Sequence, residues 1–356
     1  MRKHPVAAVA AALIVAATTG PAGGQETGVH LGPRLQMYEA TVDEATAEAL
    51  AAEGQDVVSQ RPVRDGVRIG LVLYPSDRDA MEGRGIDLRL WRNDEGLTAR
   101  RLADQQAAGG FEVWRPYDGP GGIREYLYDV AADNPDIVKL EVVGMTHGTD
   151  PAGGDPTPRE IVALKLTKNA TTVPDGTRPA VLYSSSHHGR DWIGAEVTRR
   201  LLEWFVTGWR EREPQVVDIV RTTELWFVPV ANPDGYQYTF THDRLWRKNL
   251  ADVDGDGKIT PIDGVDPTVP EHGAEPEARA MIEVLDRSHP EFQIRNRSFG
   301  EPSDRSGFVF PDREGRVRDE LTVALDLALA RAMAAADTVA PASTVTIESG
   351  ADERRA

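Results

Sequence analysis

Apolar and polar positions along this chain follow two different rhythms. Between residues 32 and 112, short apolar runs at 38–42 and 67–73 predict strands. The spacing of apolar positions at 44–54 and 97–108 predicts helices, the first closed by Gly54, and 111–114 reads as a further short strand. This is the pattern of a small α+β module. From about residue 117 the elements lengthen. A helix is predicted at 122–132, and apolar strands at 138–143, 161–166, 179–183 and 225–230. A long helix at 194–208 carries Val197, Leu201, Leu202 and Phe205 on one stripe. Helices at 275–285 and 321–336 and a strand at 343–347 complete the pattern. Strands alternating with helices point to an α/β sheet layered by helices.

The N-terminus adds a targeting expectation. Arg2, Lys3 and His4 precede an apolar run at 6–17, followed by small residues around Ala22. This reads as a secretory signal peptide over 1–22, so the chain is expected to be exported and soluble, with no stable membrane insertion after its removal. The division that follows is a module at 23–112 and a larger domain at 113–356.

Composition narrows the partners. The 356 residues carry 40 Lys plus Arg against 57 Asp plus Glu, a formal net charge of −17, which argues against nucleic acid. With no cysteine, a disulfide scaffold, a thiol nucleophile and a cysteine-ligated metal are all excluded. The oligomeric state is left open.

Candidate chemistry concentrates where the strand at 179–183 runs into His187, His188, Gly189, Arg190, Asp191 and Trp192. Ligands bind beyond the carboxyl ends of strands in such sheets. His188 and Asp191, three residues apart, can share one face and offer an imidazole and a carboxylate to zinc. The same residues also suit a helix cap by Asp191 beside a structural histidine.

The surrounding segments carry a resemblance. His188 to Asp191, the turn Asn232-Pro233-Asp234-Gly235-Tyr236, and the stretch Arg244-Leu245-Trp246-Arg247-Lys248-Asn249 resemble motifs of the zinc metallocarboxypeptidases of the carboxypeptidase A family. The likeness covers about residues 115–350 and is strongest at 179–250. It implies a mixed central sheet with helices on both faces, preceded by the small α+β module. It also implies removal of C-terminal residues from peptides. Zinc would be held by His188, by Asp191 in place of the family's glutamate, and by a later histidine. Glu348 resembles the general base for the zinc-bound water, and Arg247 the guanidinium that polarises the scissile carbonyl. Arg190, Asn232 and Arg244 would bind substrate, which is the C-terminus of a peptide or protein.

The chain departs from the family in three places. Asp191 is one methylene shorter than glutamate. Arg297-Ser298-Phe299-Gly300 stands where the family has His-Ser-Tyr-Gly, and arginine does not ligate zinc at neutral pH. The segment from Gly264 to Pro270 lacks the carboxylate-binding arginine. His187, His242, His272 and His289 are the remaining candidates for a third ligand. The alternative to an active peptidase is therefore a homologue that binds peptide or polysaccharide without cleaving it.

A second metal pattern follows. Asp252, Asp254, Asp256, Lys258, Thr260 and Asp263 match the ligand positions of a calcium loop, with Gly257 at its sharp turn. Lys258 would offer its carbonyl, Thr260 its hydroxyl or a bridging water, and the calcium would be structural.

Overall fold

Why the first segment folds is visible in its caps and pleats. The computed structural model describes residues 34–93, 95–108, 114–268, 272–297 and 344–349. Strand β1 (Gln36–Val42) ends at Asp43, whose carboxylate accepts from Thr46 N and caps helix α1 (Glu44–Ala52). Strands β2 (Val57–Val63) and β3 (Gly66–Leu73) form a hairpin, and helix α2 (Pro75–Gly83), short strand β4 (Arg89–Leu90) and helix α3 (Ala99–Ala108) follow. The strands pair antiparallel in the order β2-β3-β1-β4, and a register shift between Val57 and Ser59 interrupts β2. Leu50, Ile69 and Leu71 are buried together in this module's core. Trp114 is irregular, and 111–113 lie outside the described residues.

The larger sheet is built from β5 (Val138–Met145), β6 (Glu160–Leu166), β7 (Ala180–Ser185), β8 (Glu224–Val228), β9 (Phe292–Arg297) and β10 (Thr344–Ser349). Their order is β10-β9-β7-β8-β6-β5, so the four strands expected from the apolar runs lie in one sheet. Strand β7 runs parallel to β8 and β9, and the other pairs are antiparallel, which makes the sheet mixed.

Alternation along the strands loads both faces. Leu164, Tyr183 and Phe227 face a core shared with α4 (Ile123–Asp133), α5 (Trp192–Glu211) and α6 (Pro214–Thr222). Ala163, Leu182 and Trp226 belong to a second core with Ala280, Met281 and Val284 of α8 (Pro276–Ser288). Helix α7 (Pro233–Thr241) follows β8, with Pro at its first turn. The expected helix at 321–336 and the N-terminal 1–22 lie outside the described residues.

The small sheet packs on the loop after α7: Val58 and Val72 touch Leu245, while Tyr74 clusters with Trp246, Leu250 and Ile259. Elsewhere in the larger sheet, Lys165 of β6 is fully buried and donates to Val173 O and Asp175 Oδ1, and Arg287 of α8 also holds Asp175. Burial would raise the Asp175 carboxyl, but Lys165 and Arg287 hold it below the ordinary carboxylate range.

Candidate active site

The site begins where β7 ends. Ser186 takes a left-handed conformation, φ 47°, and its hydroxyl donates to Asp191 O at 2.8 Å. The chain then passes so close to α7 that a Cβ on Gly189 would lie 2.3 Å from Gly235 O, and only glycine fits there. Gly189 N donates to Arg247 O at 2.9 Å, tying this turn to the arginine-bearing loop.

Asp191 occupies the N-cap position of α5, yet its side chain makes no cap hydrogen bond. Its Oδ2 lies 3.5 Å from His188 Nδ1 instead. The other imidazole nitrogen, Nε2, is 3.4 Å from Asp266 Oδ1 and 3.4 Å from Thr268 Oγ1. Asp266 is itself fixed: Thr268 N and Oγ1 donate to Oδ1, and Arg247 Nη2 pairs with Oδ2 at 2.6 Å. Burial would raise the Asp266 carboxyl, but the hydrogen bond and charge of His188, together with Arg247, hold it far below the usual range. A carboxylate on the far nitrogen fixes the ring's orientation, as supporting groups do behind metal-ligating histidines.

Asp56, at the start of β2, reaches into the same cleft. Arg190 holds it with both guanidinium ends, at 2.5 and 2.7 Å, and Arg247 Nε is 3.8 Å away. The cleft is lined by Asp56, Val57, Val58, His188, Arg190, Asp191 and Arg247.

Two further residues, Asn232 and Arg244, make contacts that tie the site's loops together. Asn232 is fully buried; its Oδ1 caps α7 at Gly235 N, and its Nδ2 donates to His187 O and Lys248 O. It staples the histidine turn to the arginine loop. Arg244 lies 3.7 Å over the Trp192 ring and donates to Arg190 O. Burial pushes its guanidinium down to about 10.

The late strands carry the two remaining candidates. Arg297 ends β9, one residue past the Asn296–Ser185 pair, at the end of the sheet that leads to His188. Glu348 sits opposite Gln293, which pairs with Leu182. Because β10 is antiparallel to β9, Thr344 and Val345 are its residues level with the end of β7, and Glu348 lies about 10 Å down the sheet from Ser185.

The other histidines have different neighbours. His187 Nε2 is 3.0 Å from Ser184 Oγ, His242 stacks on Tyr238, and His272 Nδ1 lies 2.9 Å from Asp266 O. His289 ends α8 in a left-handed conformation. His188 and Asp191 thus offer zinc two donors, and among the described residues no third His, Asp or Glu forms a cluster with them. A catalytic zinc takes three protein ligands and a water, so this donor set does not fit one.

In the acidic loop, Asp252, Asp254 and Asp256 place carboxylate oxygens within 4.8 Å of one another. Asp263 instead folds the loop onto itself. Its Oδ1 accepts from Val253 N, and its Oδ2 from Thr260 N and Oγ1.

Sequence comparison shows homology at the level of a family. A family model described as zinc carboxypeptidase matches residues 123–299, which include His188, Asp191, Arg247 and Asp266. The chain is a homologue of the zinc carboxypeptidases. A zinc carboxypeptidase of Saccharothrix mutabilis subsp. capreolus is 25% identical over 257 residues, 70% of this chain and 56% of the relative. An inactive metallocarboxypeptidase of Arthroderma benhamiae is 36% identical over 95 residues, 26% of this chain and 15% of the relative. The chain therefore spans about half or less of these relatives' lengths. Among solved structures, carboxypeptidase A from Helicoverpa armigera shares the fold, with a TM-score of 0.53 at 19% identity, covering 72% of this chain and 68% of that one. Among the described residues of this zinc carboxypeptidase homologue the metal-ligating set is divergent and incomplete. Asp56 and Asp266 are the site residues that motif reading missed. Asp266 lies in the Gly264–Pro270 segment that departs from the family by its missing arginine, but Asp56 has no local signal.

Proposed function

We propose that this chain is a catalytically impaired carboxypeptidase homologue that binds peptide C-termini without cleaving them. The observation that carries the reading is the two-donor metal set of His188 and Asp191, with Arg297 at the strand end where the family resemblance expects a third ligand. Arg190 supports the ligand class. A guanidinium that grips the Asp56 carboxylate bidentately has the geometry to take a peptide's terminal carboxylate. A neutral polysaccharide offers no such charge. Arg190 is the proposed substrate contact, and Arg247 positions Asp266 behind His188.

Two accompanying roles belong to this proposal. The loop with Asp252, Asp254 and Asp256 is a structural calcium site, supported by its spacing and by the convergence of the three carboxylates. Lys258 would ligate through its carbonyl and Thr260 directly or through water, while Asp263 shapes the loop. Calorimetry should find one calcium site that Asp254→Ala removes. Export is supported by the charged and apolar N-terminal pattern, and no described helix is long and apolar enough to cross a membrane.

The deciding experiment uses the full chain with zinc. Chelator competition measures zinc affinity, mass spectrometry follows peptide trimming, and anisotropy compares peptides with free and amidated C-termini. The expected result is weak zinc binding, no trimming, and preference for the free acid. Arg297→His should raise zinc affinity. Tight stoichiometric zinc together with trimming in the parent would overturn the reading in favour of an active carboxypeptidase.

A further inference from the structure

A second cluster of metal-ligating side chains lies outside this cleft. His147, just beyond β5, places Nε2 2.8 Å from Glu275 Oε2. Glu277, in the first turn of α8, is 1% exposed, and its Oε2 shares the Asn249 amide with Glu275: Asn249 Nδ2 donates to Glu275 Oε2 at 2.7 Å and to Glu277 Oε2 at 3.0 Å. One donor atom from each of His147, Glu275 and Glu277 lies within 4.8 Å of the others.

Three observations point to a bound cation. The first is an orphan: Glu277 Oε1 is buried and has no hydrogen-bond partner, a costly state for a carboxylate oxygen. The second is charge. Two carboxylates share one neutral amide, and Arg159 is already paired with Asp234 and Asp118. The third is preorganisation. The stretch bearing His147 is pinned on both sides, by Thr146 N to Arg159 O and by Gly148 N to Asp234 Oδ2. Asn249 Oδ1 in turn accepts from Ala251 N and Val265 N, so its amide faces Glu275 and Glu277 with no freedom to turn.

We propose that His147, Glu275 and Glu277 form a binding site for a borderline divalent transition-metal ion such as zinc or cobalt, separate from His188 and Asp191. One imidazole with two carboxylates suits such an ion better than calcium, which prefers oxygen donors alone. The ion gives Glu277 Oε1 its missing partner. Its role is structural: it joins the end of β5 to the start of α8 and, through Asn249 and Val265, braces the loop that carries Asp266. This site stands whether or not the cleft cleaves peptides.

The test uses the full chain carrying His188→Ala, which disables the cleft's two-donor set, after removal of metals by chelation. Cobalt(II) is titrated while its visible d–d absorption is followed, with calcium in tenfold excess. The expected result is one cobalt site that zinc displaces and calcium does not. His147→Ala is partly exposed and safe for folding; it should weaken binding at least thirtyfold and abolish the rise in Tm that metal produces. Glu277→Gln should weaken binding similarly, with circular dichroism confirming the fold. Absence of a cobalt site in the His188→Ala protein would overturn the proposal, as would a site that survives His147→Ala unchanged.

Discussion

Asp56 and Arg190 meet carboxylate to guanidinium across 134 residues of chain, with both Asp56 oxygens engaged. Arg190 is 3% exposed, so this is a nearly buried pair whose removal on one side leaves a charge without its partner. Burial alone would lower the guanidinium pKa; Asp56, with Asp191 and Asp266, more than offsets it and raises it. Asp56→Ala should cost about 3 kcal/mol in urea unfolding. The same change should raise affinity for a free-acid peptide at least tenfold by anisotropy. Unchanged peptide affinity would mean that Arg190 is a purely structural cation.

Asn232 makes a different kind of link. Asn232→Ala removes the cap on α7 and leaves His187 O and Lys248 O without their amide donor. A loss of about 2–3 kcal/mol is expected by chemical denaturation. Asn232→Asp should restore only the cap and bring a carboxylate against two carbonyls, so it should recover less than half of the loss.

Gly189→Ala tests the close approach directly. The added methyl would sit 2.3 Å from Gly235 O, a backbone atom that cannot swing aside. A cost of about 2 kcal/mol or more is expected. Zinc bound through His188 and Asp191 should weaken as well, because the turn between them has to open. A Tm within about a degree of the parent would show that α7 yields more easily than its packing implies.

The Lys165–Asp175–Arg287 cluster predicts an acid limb. Asp175 is depressed in the fold, so its contribution is complete above the unfolded carboxylate range, about 4, and is lost as pH falls through the lower folded value. Glu141, held by Lys139 and Arg287 against the effect of burial, adds in the same direction. Asp175→Asn should cost about 3 kcal/mol at pH 7, because Lys165 stays buried. Urea midpoints at pH 7, 5 and 3 should show the parent losing more stability than the variant below pH 5. Parallel curves would remove Asp175 from the acid transition.

The central strands were legible because burial on both faces makes them continuous apolar runs: β6, β7 and β8 are buried almost throughout. Strand β9 was not, since Phe292–Arg297 carries Gln293 and Asn296, polar residues buried in the sheet, the latter bonded through its amide to Thr198 on α5. Helix α7 hid behind its aromatic and glycine content, although Asn232 followed by Pro233 is a helix start in plain form. In the site, His188, Asp191 and Arg247 were legible because they sit in contiguous motifs. The frame contacts of Asn232 and Arg244 were not legible, because a motif fixes which residues are near a site and not which partners each one takes. The level of Glu348 along the sheet depended on strand direction, which a short β run does not encode. Asp56 depended on a pairing across two sheets, which no local spacing reports.

The break in β2 between Val57 and Ser59 sits immediately beside Asp56. Pleated strands turn successive residues to opposite faces, so a single extra residue decides which face a side chain joins. The grip on Arg190 is thus written in a residue count as much as in an aspartate. Deleting one residue at Val57–Ser59 while leaving Asp56 untouched would restore an even ladder and swing that carboxylate away from the cleft. Relatives could gain or lose this contact through a one-codon insertion, with every charged residue in place.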